Sequence, residues 1–319
     1  EATDTYCVRY PDVSECGPCQ GQSAGLASSE CTAWQEVWDA WELADWQHWN
    51  SNFNRRDPCS YYRVDCTWDG LNTLRIRGLN VWGGQDGMGS MLLTSVLPVA
   101  LSKLTSIKQI EISSLENYNM AATLPEQWSA LTALTTLKVY DMQQLAGSIP
   151  EQYSALSQLK HLEIYRTSLN GTLPASLSTM STLEKLRMDY NDLTGTLPAS
   201  WSAMGLPFTS LEMNLRDNDL TGTLPVEWTS KPFEYLSLTG NDFTRWVPPY
   251  NAYSCDLAID QGPNQFFCPM PSRSSCMNNE PCVTAPTCAN GVIADQTPSA
   301  DCDGYDCNDK ACTCNAGYT

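Results

Sequence analysis

An apolar residue followed by proline recurs along this chain at successive spacings of 27, 25, 24, 24, 27 and 23 residues. A period of this length indicates one supersecondary unit repeated along a stack, in which each unit buries its apolar edges against its neighbours. Residues at the same phase then lie in columns, so a functional surface is predicted to be a column of side chains. The dipeptides are Leu97-Pro98, Leu124-Pro125, Ile149-Pro150, Leu173-Pro174, Leu197-Pro198, Leu224-Pro225 and Val247-Pro248.

The best repeats share one residue frame. Residues 183–198 read L-x-x-L-x-M-x-x-N-x-L-x-G-x-L-P, and residues 159–174 read L-x-x-L-x-I-x-x-T-x-L-x-G-x-L-P. The apolar-x-apolar segment alternates with period two, which predicts a short strand with one buried face. This is the leucine-rich-repeat frame, and its Leu-x-Gly-x-Leu-Pro end resembles the plant-specific subclass. A side-chain amide can satisfy backbone groups along the stack from the turn position, which holds Asn191, Asn218 and Asn241.

The frame predicts a leucine-rich-repeat solenoid: short parallel strands on a curved sheet, with a disulfide-stapled cap at each end. We divide the chain into a Cys-rich segment and helical cap at 1–70, about seven plant-type repeats at 71–250, a Cys-rich cap at 251–287 and a growth-factor-like module at 288–319. The strands are predicted to be centred on Arg75, Glu111, Lys138, Glu163, Arg187, Asn214 and Ser237.

The fifteen cysteines lie only at the two ends of the chain, six from Cys7 to Cys66 and nine from Cys255 to Cys314. This distribution indicates disulfide-stapled caps in an oxidising compartment. Sequence leaves three pairings open for the first four cysteines, and it does not fix the pairing of the four between 255 and 282. These two sets are Cys7, Cys16, Cys19 and Cys31, and Cys255, Cys268, Cys276 and Cys282.

The segment Cys16-Gly-Pro-Cys19 matches the motif of thiol–disulfide oxidoreductases. That chemistry needs a low-pKa thiolate at a helix N-terminus inside a βαβ unit. No strand-like run precedes the motif, and Cys7 and Cys31 offer structural partners. We therefore interpret these cysteines as structural.

Residues 32–49 are predicted to form a helix that covers the first repeat, with Thr32 as its N-cap. One helical face carries Trp34, Val37, Trp38 and Trp41 at i, i+3, i+4 and i+7. A tryptophan stripe can serve as a ligand platform, but this spacing favours a packed cap. A second apolar stripe is formed by Trp46, Trp49 and Phe53.

The formal net charge of −18 argues against a nucleic-acid partner, because phosphate contacts need a basic surface. Residues 1–70 carry 12 acidic and 4 basic side chains, and residues 251–319 carry 8 and 2, so the ends hold −14 of the −18. The chain has no 18-residue apolar run and no visible signal peptide, which together with its cysteines is typical of a processed ectodomain.

Nothing in the sequence predicts catalysis. The only histidines, His48 and His161, have no nucleophile motif beside them, and no phosphate-binding loop or zinc-protease motif occurs. We expect no enzymatic activity, no cofactor and no metal. The acidic cluster between 301 and 309 lacks a calcium-binding pattern, so it is interpreted as a solvated surface.

Two exposed columns are predicted on the sheet. The first reads Arg75, Glu111, Lys138, Glu163, Arg187, Asn214 and Ser237, with alternating charges that can pair between strands about 4.8 Å apart. The second interleaves Tyr and Arg, the composition of protein-binding hot spots. It reads Arg77, Ser113, Tyr140, Tyr165, Asp189, Arg216 and Thr239, flanked by Asp141, Arg166, Tyr190 and Asp217.

We predict a concave ligand-binding surface on these columns, the alternative being a face that is merely soluble. We also expect changing Tyr165 and Arg187 together to alanine to abolish binding with little effect on stability. The sequon Asn170-Gly-Thr172 is a predicted glycosylation site. The predicted binding residues are Lys138, Tyr140, Glu163, Tyr165, Arg166, Arg187, Tyr190 and Arg216.

The repeats at 123–131 and 194–202 resemble the Gly-Thr-Leu-Pro-x-x-Trp-Ser repeats of the promastigote surface antigens of kinetoplastid parasites, with Trp128, Trp201 and Trp228 at one phase. The resemblance covers about residues 30–250. It implies a secreted or lipid-anchored coat protein that engages host or vector molecules.

Two further resemblances concern disulfides. Residues 57–66 resemble the cap that precedes plant-type repeats, which implies a Cys59–Cys66 pair. The tail from Cys288 is similar to an epidermal-growth-factor module, which implies the pairs Cys288–Cys307 and Cys302–Cys312. Cys314 then has no partner in the given sequence, which is interpreted as ending inside the module.

Three function classes follow. The first is an extracellular recognition or adhesion protein that binds a protein or glycan through its concave sheet and is attached to a membrane only by an anchor beyond residue 319. The second is a secreted inhibitor of a foreign hydrolase, similar to plant polygalacturonase inhibitors, for which an exposed acidic and tyrosine-rich concave cluster is expected. The third is a structural coat protein without a specific ligand.

Overall fold

The computed structural model describes residues 19, 21–41, 55–61, 63–70, 73–82, 97–113, 122–205 and 211–245, and the backbone of strands at 252–256, 265–266, 287–288 and 291–292. These residues form the predicted leucine-rich-repeat solenoid. A parallel sheet runs along one face, and Leu, Ile and Met side chains fill the interior behind it. No helix among the described residues is long and apolar enough to span a membrane.

Fifteen strands are present in the described part of the chain. They are β1 (Val64–Trp68), β2 (Leu74–Trp82), β3 (Gln109–Ser113), β4 (Thr136–Gly147), β5 (His161–Thr172), β6 (Lys185–Arg187), β7 (Asp192–Thr196), β8 (Leu211–Asn214), β9 (Asp219–Gly222), β10 (Phe233–Ser237), β11 (Asp242–Arg245), β12 (Ala252–Asp256), β13 (Gln265–Phe266), β14 (Thr287–Cys288) and β15 (Gly291–Val292).

The strands form two ladders that give the solenoid two faces. The concave sheet has the order β1-β2-β3-β4-β5-β6-β8-β10-β12, parallel throughout except between β1 and β2. The second sheet joins the end of β5 to β7, β9, β11 and β13, also in parallel. The concave sheet reaches Asp256, beyond the boundary that we drew at residue 250.

The recurring proline starts a short 3-10 helix in each repeat. Its φ, between −64° and −71° before the helices that follow Pro98 to Pro225, is the value to which the ring restricts it. Its carbonyl accepts the N–H three residues on, as Pro125 O does from Trp128 N at 3.1 Å. The helices are Val99–Lys103, Glu126–Ala130, Glu151–Ala155, Ala175–Thr179, Ala199–Ala203 and Val226–Ser230.

Aromatic side chains in these 3-10 helices bond each repeat to the one before. The indole N–H of Trp128, Trp201 and Trp228 donates to Pro98, Pro174 and Pro198 carbonyls at 3.0–3.1 Å. The hydroxyl of Tyr153 does the same to Pro125, at 3.1 Å. All four aromatic side chains are fully buried. The Trp phase that carries the family resemblance therefore has a structural role.

The predicted asparagine ladder is confirmed. Asn218 Nδ2 donates to the carbonyls of Met188 and Leu215, and its Oδ1 accepts from Leu193 N at 3.1 Å. Asn241 repeats this pattern one unit further on. Thr167 takes the position in the preceding repeat and donates to Asn191 Oδ1. Each of the three asparagines, Asn191, Asn218 and Asn241, thereby satisfies buried backbone carbonyls of two repeats.

The helical cap differs from the predicted span of 32–49 at both ends, since the helix starts earlier and already ends at Ala40, with Trp41 as its C-cap. The only α-helix in the described residues, α1, runs from Ser28 to Ala40 with Ala27 at its N-cap, so Thr32 lies inside it and donates to the Ser28 carbonyl at 3.0 Å. The first turn is polar, so the apolar spacing that begins at Trp34 could not reveal it. The packing prediction is confirmed, because the side chains of that face are buried: Trp34, Val37, Trp38 and Trp41.

Two disulfides are formed in the described residues. Cys59 pairs with Cys66, as the cap resemblance implies. Cys19 pairs with Cys31, which ties the segment before α1 to the helix. This second bond excludes a Cys16–Cys19 redox disulfide and supports the structural interpretation.

Several predictions fall on residues outside the described part. They concern Cys7, Cys16, the stripe of Trp46, Trp49 and Phe53, the cysteines from Cys255 to Cys282, and the bonds Cys288–Cys307 and Cys302–Cys312. Within the growth-factor-like segment only the antiparallel pair β14–β15 is described. The module boundaries and these disulfides stay predictions.

The register of β2 corrects the first repeat. Glu111 pairs with Asn80 and Ser113 pairs with Trp82, so neither Arg75 nor Arg77 belongs to the predicted columns. Arg75 instead lies opposite Thr67 of β1 and pairs with Asp69 at 3.2 Å. A bulge between β1 and β2 near Gly78 shifts the alternation of buried and exposed residues by one position, so that Leu74 and Ile76 are buried before it and Leu79 and Val81 after it. The predicted columns used the residues before the bulge, whereas β3 pairs with the residues after it.

Candidate ligand-binding surface

The concave sheet brings the predicted binding residues together on β4, β5 and β6 and on the turns that follow β6 and β8. Lys138, Glu163 and Arg187 align across the three strands, and Tyr140 aligns with Tyr165 two residues further along. We call the full set the Tyr–Arg surface. It consists of Lys138, Tyr140, Glu163, Tyr165, Arg166, Arg187, Tyr190 and Arg216.

Tyr140, Tyr165 and Arg187 form a continuous stack. The two rings are nearly parallel, 6° apart, with centroids separated by 5.0 Å. The guanidinium carbon of Arg187 lies 3.6 Å from the centroid of Tyr165. Both faces of Tyr165 are therefore covered by side chains of the protein. The stack offers ring edges, hydroxyls and the guanidinium to a partner, and a Tyr165 face is not open to it.

A buried carboxylate fixes the position of Arg187. Its Nε and Nη2 donate to the two oxygens of Asp189 at 2.6 and 3.2 Å, and Asp189 is 1% exposed. Arg187 and Asp189 are two residues apart, and in β-like backbone such residues share a face. The bidentate pair raises the pKa of Arg187, so the guanidinium stays charged.

Burial keeps both stacked phenols protonated at neutral pH. It raises the pKa of Tyr165 to about 12, against the smaller opposing effect of the Arg187 charge. It also raises the pKa of Tyr140, whose hydroxyl donates to Glu111 Oε1 at 3.0 Å. The hydroxyls are therefore neutral hydrogen-bonding groups across the physiological pH range.

A column of left-handed residues borders the stack. Asp141, Arg166, Tyr190 and Asp217 have φ values of 52–55°, and Gly240 continues the column. Such a backbone is uncommon for residues other than glycine and costs about 1 kcal/mol or more at each position. Hydrogen bonds between repeats hold it, including Tyr190 N to Arg216 O at 3.1 Å.

Tyr190 is the most exposed tyrosine of the surface and has an arginine on each side. The guanidinium carbons of Arg166 and Arg216 lie 5.6 and 5.2 Å from its ring centroid. Arg166 also pairs with Asp141 at 3.5 Å, and Arg216 pairs with Asp217 at 2.8 Å. Tyr190 itself is 42% exposed, so its ring edge and hydroxyl are accessible to a partner.

The predicted charge ladder is formed in part. Lys138 Nζ lies 3.3 Å from Glu163 Oε1, across β4 and β5. Arg187 is directed at Asp189 and not at Glu163, because a residue on its own chain segment gives it bidentate geometry. Sequence analysis placed Asp189 in the neighbouring column but missed its role as an anchor. The i, i+2 spacing of Arg187 and Asp189 is the signal that could have identified it.

A column of exposed hydroxyl residues follows the bends of five repeats, and its members Thr172 and Thr196 end β5 and β7 of the second sheet. In five consecutive repeats the Thr or Ser directly before the Leu-Pro or Ile-Pro dipeptide is exposed. The methyl groups of Thr172 and Thr196 lie against Gly195 and Gly222 of the next repeat, where a Cβ would be only 2.8 Å away. Since these glycines have φ near +80°, they both permit the bend and make room for the methyls. The exposed residues are Thr123, Ser148, Thr172, Thr196 and Thr223.

Asn170 is exposed at the start of this second sheet, and so is Thr172 of its sequon. Gly171 between them has a φ of 79°. Both residues that an oligosaccharyltransferase recognises are therefore on the surface. Glycosylation of Asn170 stays a prediction.

Within the residues that the structure describes, no three His, Cys, Asp or Glu side chains are grouped so as to hold a metal ion. The carboxylates of the Tyr–Arg surface are instead used in ion pairs with its lysine and arginines.

Comparison with known proteins identifies the repeat and the fold. A family model described as Leucine Rich Repeat matches residues 182–204. No curated protein matches the chain significantly.

Among solved structures, a plant ice-binding protein is 22% identical with a TM-score of 0.62, over 76% of this chain and 73% of that protein. The Arabidopsis receptor kinase HAESA, solved with the peptide hormone IDA and the co-receptor SERK1, is 23% identical with a TM-score of 0.50, over 77% of this chain and 43% of that one. A PEPR1–AtPEP1 structure is 22% identical with a TM-score of 0.52, over 74% and 30%. The chain thus spans less than half of these receptor chains.

Proposed function

We propose that this protein is an extracellular recognition protein that binds a polypeptide partner through the Tyr–Arg surface. The single observation that carries the proposal is the preorganised stack of Tyr140, Tyr165 and Arg187 beside the exposed Tyr190. Tyr and Arg dominate binding energy at protein interfaces, and side chains fixed before binding lose little entropy on association.

The geometry of the stack favours a polypeptide over a neutral glycan. A sugar ring packs on an open aromatic face, whereas both faces of Tyr165 are covered by Tyr140 and Arg187. The groups that remain accessible are hydroxyls and guanidinium N–H donors. Backbone carbonyls and polar side chains of a protein satisfy such donors.

The inhibitor alternative is less well supported. It expects an exposed acidic and tyrosine-rich cluster, but the side chains of Glu163 and Asp189 are only 6% and 1% exposed, and the 40% exposed Asp141 is paired with Arg166. The structural coat alternative predicts no ligand for this surface at all, and it is the outcome if no partner is found.

An extracellular location is supported by the disulfides Cys19–Cys31 and Cys59–Cys66, which persist in an oxidising compartment. The structurally similar receptor kinase HAESA was solved with a peptide hormone, which is consistent with a polypeptide ligand for this chain. The promastigote surface antigen resemblance makes host and vector proteins the first partners to test. It also supports a lipid anchor beyond residue 319.

The test is a binding screen with the whole chain against arrays of extracellular proteins and of glycans. A variant with Tyr190→Ser and Arg166→Gln removes two exposed groups of the surface. A matched control with Val226→Ser and Glu227→Gln changes two exposed residues of a 3-10 helix outside the concave sheet. We expect a protein partner that the first variant loses and the control keeps. Partners retained equally by both variants would refute the proposed site.

A second candidate function, ice binding, is favoured by the array of exposed hydroxyl residues. Thr172 and Thr196 end the neighbouring parallel strands β5 and β7, and their methyl groups pack against Gly195 and Gly222 of the next repeat. A regular, rigid array of hydroxyl and methyl groups is what binding to a crystalline surface requires. The similar plant structure is described as ice-binding.

Ice recrystallisation assays test this candidate. We expect the chain to inhibit crystal growth and the bulky substitutions Thr196→Tyr and Thr223→Tyr, at two residues of the array, to abolish the effect. The variant of Tyr190 and Arg166 should keep full inhibition, since those residues lie on the other sheet. An inactive wild-type chain would refute this function.

A further inference from the structure

In each ion pair of the Tyr–Arg surface the cation is the more exposed partner. The side chain of Arg187 is 29% exposed, whereas that of its partner Asp189 is 1% exposed. Likewise, the side chain of Lys138 is 31% exposed and that of its partner Glu163 is 6% exposed. The same order holds for Arg166 over Asp141 and for Arg216 over Asp217. The carboxylates are therefore more buried than the cations, and the groups most accessible to a partner are positively charged.

The outer groups of this surface are mainly hydrogen-bond donors. Arg187 uses Nε and Nη2 on Asp189, and its Nη1 is outside that pair. A guanidinium carries about five N–H donors and no acceptor, so one carboxylate cannot use them all. Arg166, with 57% exposure, presents a further guanidinium beside the exposed ring of Tyr190.

The anchoring carboxylates prepare these cations for binding. Asp189 holds Arg187 in one orientation, and the rings of Tyr165 and Tyr190 flank the guanidiniums. An immobilised arginine loses little side-chain entropy when a ligand pairs with it. The arrangement therefore suits ligands that supply carboxylate oxygens.

On the basis of the proposed function, we propose that the partner binds through an acidic, extended polypeptide segment whose Asp or Glu side chains contact Arg166, Arg187 and Arg216. These arginines belong to three successive repeats. Two steps between strands cover about 10 Å, which an extended chain spans in about three residues. The segment therefore crosses the strands with acidic residues two to four positions apart.

The experiment uses three peptide panels of equal length and the full chain. One panel carries Glu pairs at spacings of two to four residues, the second has Gln in place of Glu, and the third has Lys. Affinity is measured by fluorescence anisotropy near physiological salt, where the Debye length is about 8 Å and the overall negative charge of the protein is largely screened. A sulfated polysaccharide is included as a second anionic probe.

The decisive variant is Arg166→Gln with Arg216→Gln. Their partners Asp141 and Asp217 are 40% and 29% exposed, so water can hydrate the carboxylates and the fold is expected to tolerate the change. Arg187 is left unchanged because it anchors Asp189. We expect Glu peptides to bind at least about tenfold more tightly than Gln peptides, and the variant to remove that difference. The Val226→Ser, Glu227→Gln control should retain it.

The outcomes separate this inference from the function on which it rests. Equal binding of Glu and Gln peptides, lost on Tyr190→Ser, would overturn the acidic segment and leave a polypeptide-binding surface. Binding of the sulfated polysaccharide alone would overturn the polypeptide assignment. If no panel binds and the proposed protein screen also finds no partner, both proposals fail.

Discussion

Replacing Arg187 by alanine should destabilise the solenoid far more than its position on an exposed surface suggests. Truncation leaves Asp189, which is 1% exposed, without its two charge-assisted hydrogen bonds. Removing one partner of a buried ion pair costs about 3–5 kcal/mol. Because Arg187 is 29% exposed, water can reach Asp189 after truncation, so we expect a cost at or just below the lower limit of that range, about 2–3 kcal/mol.

The contact with Tyr165 adds to this cost. A cation over a ring at 3.6 Å contributes about 0.5–1 kcal/mol at a partly exposed site. The total expected loss is about 3 kcal/mol, which at a typical m-value lowers the urea midpoint by about 1–2 M. Urea unfolding followed by both tryptophan fluorescence and circular dichroism measures it and checks that the two transitions coincide.

Arg166→Ala is the matched control, because its partner Asp141 is 40% exposed and the pair is worth at most about 1 kcal/mol. The double variant with Asp189→Ala should lose less than the sum of its single variants, since the buried charge is removed as well. If Arg187→Ala unfolds within about 0.5 kcal/mol of Arg166→Ala, the anchoring argument is wrong. Because Arg187 anchors Asp189, the Tyr165 and Arg187 double alanine variant should lose stability as well as binding, in contrast to the expectation from sequence.

Three further predictions concern the repeats and the stack. Tyr153→Phe should lower the free energy of unfolding in urea by about 1 kcal/mol, because it removes the hydroxyl that donates to Pro125 O. That carbonyl keeps its bond from Trp128 N, so no acceptor is left unpaired. An unchanged free energy would mean that this bond between repeats does not stabilise the fold. Gly195→Ala should lower the free energy of unfolding by about 1–2 kcal/mol, because Gly195 has a φ of 81° and an added Cβ would clash with the methyl group of Thr172. Adding Thr172→Ser removes that methyl group and should recover part of the loss in the same assay. An unchanged urea midpoint in Gly195→Ala would contradict the close contact. Burial raises the pKa of Tyr165 to about 12 against about 10 in an unfolded chain, so between these values the folded state binds more protons and stability falls as pH rises. Tyr165→Phe should flatten that fall in urea midpoints between pH 9 and 11.5, and an unchanged slope would show that Tyr165 does not contribute.

The period of the Leu-Pro dipeptide was enough to predict the solenoid, because each residue of the frame has a local physical role. The apolar alternation determines the strands, the asparagines satisfy the turns, and the glycines allow the bends near φ of +80°. These requirements recur in each unit, so the columns Glu111, Lys138, Glu163 and Arg187 follow from counting. Among the described strands of the concave sheet, counting failed in β2, where a bulge near Gly78 changes the phase.

The candidate surface could be located from sequence, but its internal order could not. Phase places Tyr140, Tyr165 and Arg187 side by side, whereas the choice of Asp189 as the partner of Arg187 depends on bidentate geometry. Burial of Asp189 and Glu163 beneath the cations depends on three-dimensional packing. The four ion pairs of this surface contain one cation and one carboxylate each, so the sequence does not reveal that the cations are the more exposed partners.

Photocrosslinking from the surface itself tests the central claim most directly. The crosslinking amino acid p-benzoylphenylalanine is introduced in place of Tyr190 in one preparation and in place of Val226, an exposed residue outside the concave sheet, in another. Each is irradiated with the partner found in the protein screen, and covalent complex is quantified by mass spectrometry. The account predicts a crosslinked complex from position 190 and none from position 226. Crosslinking from position 226 alone would contradict it.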